Sequence, residues 1–403
     1  MNGPSILWKK DELTYCSNVH PAETYEDLKA VVTAFVAGVR KARGLNAMGA
    51  GLWLNNAVAA ELAGVADRLK ELRALLLSNG IHLFTLNGFP YGDFHAQSVK
   101  EQVYTPDWSR PERLQYTQRL AEILTFCLPD AVYDGTISTL PLGFRHTWTS
   151  QKQAASSAAL CDLASFLANL KRRSGRSIRV CLEMEPDCVL ETTDELIHFL
   201  QTELPITASK LGIDERTLRE HLGICFDVCH QAVMFEDITE SLEKITAAGI
   251  VIGKIQISSA LEVSCPNSLE TRQLLARFAE PRYLHQVRTL AGGGLIGALD
   301  LPTALAAADW PDINPWRIHF HVPIQTSTLA QQELGTTQSA ILEVLDFLKS
   351  HPQQHPHLEV ETYTWQVLPE SLRPHDDSAL IKGLAEELRW LNKEMSRRGL
   401  VQQ

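Results

Sequence analysis

Five short stretches of the chain carry residues able to hold a divalent cation, and each lies at or near the end of an apolar, strand-like run. They are Leu182-Glu183-Met184-Glu185-Pro186, Phe226-Asp227-Val228-Cys229-His230, Lys254-Ile255-Gln256-Ile257-Ser258, His319-Phe320-His321 and Glu359-Val360-Glu361-Thr362. The first half adds Asn18-Val19-His20 and Asp93-Phe94-His95. Ligands scattered over strand ends meet only where the strands close on themselves, so the pattern predicts a (β/α)8 TIM barrel with one metal site at its mouth.

Apolar runs alternate with helical patterns almost throughout, as βαβ units around a parallel sheet require. Strands are expected at Leu13 to Val19, Ala47 to Leu54, His82 to Asn87, Ala131 to Tyr133 with an extension towards Leu140, Ile178 to Glu185, Gly223 to Asp227, Val251 to Ile257 and Leu358 to Tyr363. Between them fall helices such as Thr24 to Arg43, Ala57 to Ser78, Pro111 to Thr125, Gln151 to Arg173 and Gln338 to Lys349. The run Arg317 to Val322 belongs to an elaborated seventh loop. A last helix, Asp377 to Arg397, packs outside the barrel or joins two copies.

At 403 residues the chain suits one elaborated barrel domain, 1–403, with no linker. Residues 265–316 exceed a simple connection and are expected to form an insertion or lid over the mouth. The Gly292-Gly293-Gly294 tract within it lacks the residues of a nucleotide-binding loop and reads as flexible. A net charge of −11 argues against a nucleic-acid groove. The eight cysteines sit mostly in apolar runs and read as reduced thiols of a cytoplasmic protein. No signal peptide or membrane span is evident.

Alternation sends Glu183 and Glu185 to one face of their strand, and Glu359 and Glu361 to one face of theirs. Buried carboxylates need a cation or donors; a metal supplies one answer, and salt bridges to Arg179 or Lys254 another. Asp227-x-x-His230 offers an oxygen and a nitrogen to a metal, or else caps a helix. His319-x-His321 places two rings on one face, as metal ligands or as a pair satisfied by backbone carbonyls. Lys254 suits an acid, a base or an anion anchor, unless it pairs with Glu183. Arg282 and His285 in the insertion could bind an anionic group, and Trp365 could stack on a ring. His20 and His95 add imidazoles from the first half.

The ordered set resembles the xylose-isomerase-like, or endonuclease IV-like, TIM-barrel superfamily, whose members bind one to three divalent metals. That resemblance implies Glu185, Asp227, His230, His321 and Glu361 as ligands, with Gln256 standing where many members have His. An amide oxygen is a neutral, weaker ligand. The resemblance is closer to one branch, the EboE-type metabolite-traffic family of the ebo gene clusters. It is carried by Thr14-Tyr15-Cys16-Ser17-Asn18-Val19-His20-Pro21, Leu86-Asn87-Gly88-Phe89-Pro90-Tyr91-Gly92, Tyr283-Leu284-His285-Gln286 and Glu361-Thr362-Tyr363-Thr364-Trp365. It implies a cytoplasmic protein that handles a secondary metabolite beside a membrane protein from the same gene cluster.

From these readings the expected activity is metal-dependent isomerisation or epimerisation of a sugar or sugar-like metabolite, with Mn, Zn or Mg as the metal. Glu185 and Glu361 would exchange the proton at carbon. His20, His95, Lys254, Arg282, His285, His319 and Trp365 would contact the substrate. The alternatives are a metal-dependent hydrolase and a non-catalytic carrier built on the same mouth.

Overall fold

The computed structural model describes residues 7–307, 309–311, 315–329 and 334–402, so parts of the expected 1–403 domain and 265–316 insertion lie outside the described residues. Eight short apolar runs form parallel strands: β1 Thr14–Tyr15, β2 Met48–Trp53, β3 Ile81–Asn87, β4 Asp134–Thr139, β5 Ser177–Glu183, β6 Leu222–Asp227, β7 Ile252–Ile257 and β8 His357–Val360. Neighbours follow chain order from β2 to β8, and β8 pairs with β1. A bridge between Cys16 and Gly51 joins β1 to β2 and closes the ring. Helices on the outside shield the strands, which are buried almost end to end.

The barrel interior is polar in its middle layer. Lys254 on β7 and Glu359 on β8 form an ion pair at 2.5 Å, both fully buried. Lys254 also donates to Ser138 on β4 at 3.2 Å. Burial would lower the pKa of this lysine, but Glu359 first and the Cys225 and Cys16 thiols next raise it, so it stays charged. A Cβ on Gly51 would fall 1.4 Å from the Glu359 Oε1 atom, so only glycine leaves room for the pair. Lys254 thus lies beneath the mouth and does not meet Glu183 as a salt-bridge partner.

Several expected elements change shape. The predicted helix over 57–78 is two helices, Asn56–Gly64 and Ala66–Ser78, separated at Val65 with φ −134°. Gly64 followed by a β-branched residue is a weak helical pair, which explains the break. The first strand shortens to two residues before a tight turn at Ser17–Val19.

The insertion is larger and more ordered than 265–316. Strands Ala260–Val263, Val287–Ala291, Gly294–Ala298, Trp316–His321, Thr328–Leu329 and Leu334–Thr336 form a six-stranded antiparallel sheet between β7 and β8. The glycine tract expected to be flexible is a hairpin turn, with Ala291 paired to Gly294 and φ of 62° and 81° at Gly292 and Gly293. The backbone N–H groups of Val99 and Lys100, after β3, donate to Arg282 O at 2.7 and 2.9 Å. That ties the insertion to the loops at the C-terminal end of the barrel. The last helix, Asp377–Arg398, packs on the outer surface against the helix Ala37–Ala42.

Candidate metal centre and its pocket

β5 and β6 end at Glu183 and Asp227, and Glu361 follows the last residue of β8. These three buried carboxylates lie with ligand-capable oxygens within 4.8 Å of one another. Glu361 accepts from Asn18 Nδ2 at 2.8 Å and Asn87 Nδ2 at 3.0 Å. Asp227 Oδ1 accepts from Ser258 Oγ at 2.8 Å and from the His230 backbone N–H at 2.9 Å, capping the helix Val228–Val233. Glu183 Oε2 and Asp227 Oδ2 have no partner. Burial, and then the neighbouring carboxylates, push the pKa of Glu183 and Glu361 well above the usual range. A divalent cation would relieve both the crowding and the unpartnered oxygens, so the donor set fits a hard or borderline metal.

Beside the carboxylates stand three buried imidazoles. His230 Nδ1 lies 2.7 Å from Met184 O, and His321 Nδ1 lies 2.8 Å from Glu361 O. A carbonyl only accepts, so both rings carry the proton on Nδ1. His319 Nδ1 lies 2.7 Å from Gln286 Oε1, and that amide is oriented by its NH2 donating to Pro186 O at 3.1 Å. His319 is therefore also protonated on Nδ1. All three Nε2 atoms then offer lone pairs: those of His230 and His319 face each other at 3.0 Å, and that of His321 has no partner. Asp227, His230 and His321 form one ligand-capable group, and Glu185, His230 and His319 another. Of the His319 and His321 pair, only His321 is satisfied by a backbone carbonyl, and each ring keeps Nε2 available to a metal.

Glu185 sits beyond the end of β5. Its Oε1 accepts from Tyr104 Oη at 2.7 Å, and burial raises its pKa to about 7. It joins Glu183, Glu361, His230, His319 and His321 in lining a pocket of about 510 Å³ whose remaining wall is largely apolar.

The other expected site residues take different places. Gln256, on β7, is buried, accepts from Cys225 Sγ at 3.1 Å through Oε1 and leaves its Nε2 without a partner. His20 is fully buried, 3.1 Å from Tyr15 Oη and against Phe35, with its pKa lowered to about 3 by burial; it is a core residue. His95 lies behind the site, 2.8 Å from Asn18 O, and does not line the pocket. His285 braces the insertion between His319 O at 2.9 Å and Glu280 Oε1 at 2.8 Å. The Arg282 guanidinium lies over the Tyr283 ring, outside the pocket lining. Trp365 donates to Glu387 on the last helix at 3.0 Å and faces Gly383, away from the pocket.

Sequence reasoning placed Glu183 inside the barrel but gave the ligand role to Glu185. It did not single out Asn18, Asn87, Tyr104 or Gln286 as site residues. Asn18 and Asn87 follow or end strands on the interior side, which is the signal that could have found them. Gln286 and Tyr104 come from the insertion and from the loop after β3, and no local pattern marks either.

No family model and no curated protein sequence matches the chain. Solved structures share its fold. A xylose isomerase domain protein from Planctomyces limnophilus matches with a TM-score of 0.50 at 15% identity, over 90% of this chain and 92% of that one. A D-tagatose 3-epimerase-like protein matches at 0.47 and 15% identity, over 94% and 98% of the two chains. An IolI protein with a bound zinc atom matches at 0.46 and 13% identity, over 96% and 97%. At such identities the likeness is one of fold. The chain is an α/β protein with the (β/α)8 barrel of the xylose-isomerase-like kind. Among the described residues no helix is long and apolar enough to cross a membrane.

Proposed function

We propose that the protein is a divalent-metal-dependent isomerase or epimerase of a small metabolite bearing adjacent oxygen functions. The observation that supports this most strongly is the meeting of Glu183, Asp227 and Glu361, two of them lining the pocket, with unpartnered oxygens on Glu183 and Asp227. Three Nε2 lone pairs beside them favour zinc or manganese over magnesium. When bound, the metal would polarise a substrate oxygen and acidify the neighbouring C–H.

Glu185 is the residue placed to take and return that proton. Its pKa of about 7 lies where a general base works best near neutral pH, and the Tyr104 hydroxyl fixes its carboxyl. Glu361, expected to share the transfer, has one oxygen held by two amide donors and serves in this reading chiefly as a ligand.

The EboE-type resemblance supplies a setting, a cytoplasmic step in the handling of a secondary metabolite beside a membrane partner. Its support is spatial: the four sequence phrases that carry the resemblance contribute Asn18, Asn87, Phe89, Pro90, Tyr283, Leu284, Glu361 and Tyr363 to this one pocket.

The test is metal analysis of protein purified without chelators, followed by solvent-deuterium exchange over a panel of ketoses, aldoses and hydroxy-ketones. The expected result is bound zinc or manganese and deuterium entry that Glu185→Gln abolishes. Failure to take up metal would overturn the reading. Metal binding without deuterium entry into any compound that binds would favour the carrier.

A further inference from the structure

We propose, resting on the metal-dependent reading above, that the ligand has two parts: a small chelating head held at the metal centre and an apolar body that extends along residues 90–105 into a second cavity. The pocket above the carboxylates is walled by Phe89, Phe94, Val99, Val103, Leu284 and Tyr363. Of these side chains only Tyr363, through its hydroxyl, can hydrogen-bond a sugar. Two of the polar groups near them are already used, while the buried Tyr283 hydroxyl has no partner. Lys100 Nζ is bound to Asp300 at 2.6 Å and to Tyr283 O at 2.8 Å. Tyr104 Oη donates to Glu185 and accepts from Gln286 Nε2 at 3.1 Å. Recognition in this upper part therefore rests mainly on apolar area and ring stacking, with the Tyr283 and Tyr363 hydroxyls as its polar contacts.

A second cavity lies next to the first, and Pro90, Phe94, Val99 and Val103 line both. One layer of side chains separates the two. Beyond it the second cavity is lined by Tyr91, Ala96, Ser98 and Gln102, an apolar ring and small or neutral groups with Asp93 the sole charge. An aromatic or extended aliphatic body attached to the chelating head would bury against Phe94 and pass the shared wall, where each added apolar group leaves water.

The experiment uses full-length protein loaded with zinc and a hydroxamate series with one head and three bodies: acetohydroxamate, benzohydroxamate and 4-phenylbenzohydroxamate, titrated by calorimetry. Affinity is expected to rise at least tenfold at each extension. Ser98→Trp, which narrows only the second cavity, should remove the last tenfold step and leave metal content and acetohydroxamate binding unchanged. Ala96→Trp is a second variant with the same expectation, in case the first disturbs the loop. Equal affinity across the series, a last step insensitive to both variants, or tighter competition by D-fructose than by mandelate would overturn the two-part ligand. Failure to load zinc would instead overturn the parent reading, so the two failures are told apart before any organic ligand is added.

Discussion

The Nε2 atoms of His230 and His319 face each other at 3.0 Å, while the Nδ1 atom of each ring is bound to an oxygen that only accepts. Two lone pairs cannot hold that distance alone; a proton or a cation has to serve both. Gln286 decides the matter for His319, because its amide orientation fixes which nitrogen is free. Gln286→Leu releases the ring and is expected to weaken zinc binding by about 10- to 100-fold. Calorimetric titration with zinc measures it, and an unchanged affinity would show that the ring orientation does not depend on the amide.

The ion pair under the floor makes a stability prediction. Lys254→Met leaves Glu359 buried and uncompensated and should cost about 3–5 kcal/mol in chemical denaturation. Adding Glu359→Leu to that variant removes the orphaned charge and should recover much of the loss. Gly51→Ala forces Glu359 aside and should also destabilise, with Ala tolerated only in the doubly substituted background. An additive double variant would mean that the two charges do not stabilise each other.

Strand periodicity made the barrel and the interior face of its acids legible, since residues two apart share a face. It could not give height along the axis. Glu183 is the last residue of β5, level with the floor, whereas Glu185 lies past the strand end, before the left-handed turn at Asp187 with φ 65°, and reaches Tyr104. Pairing across strands was equally hidden. Lys254 sits opposite His357 in register, which carries its side chain to Glu359 instead of Glu183. The histidines show a third limit. His20 and His321 are both buried imidazoles near strand-like runs, but one packs on Phe35 and the other opens on the pocket, a difference set by tertiary packing.

Glu387 yields a pH dependence. It is buried on the last helix and accepts from Thr362 Oγ1 at 2.7 Å, Trp365 Nε1 at 3.0 Å and the Ile324 N–H at 3.2 Å. Burial outweighs these three donors and raises its pKa to about 7. A raised acid binds its proton more tightly folded than unfolded, so its stabilising contribution is full below about pH 4.5 and is lost as pH rises through 7. Glu387→Gln keeps the shape without the charge and should flatten the fall in stability between those values. Measured by denaturation at pH 5 and pH 8, an equal slope in both proteins would remove Glu387 as its source.

Lys100 latches the insertion to the barrel. Its ammonium binds Asp300 at 2.6 Å in a partly buried pair, and Asp300 in turn accepts from the His285 backbone N–H at 3.1 Å. His285 braces His319 through its carbonyl, so the latch leads to the metal centre by a short chain of bonds. Lys100→Met preserves most of the side-chain bulk and should cost about 1–2 kcal/mol, because the pair is only partly screened by solvent. Its clearer mark should be local: faster amide hydrogen exchange at Tyr283, Leu284 and His285, with the exchange of β5 and β6 unchanged. Uniformly faster exchange would indicate general destabilisation, and unaltered exchange over 283–285 would mean that the two backbone bonds to Arg282 hold the cover without the lysine.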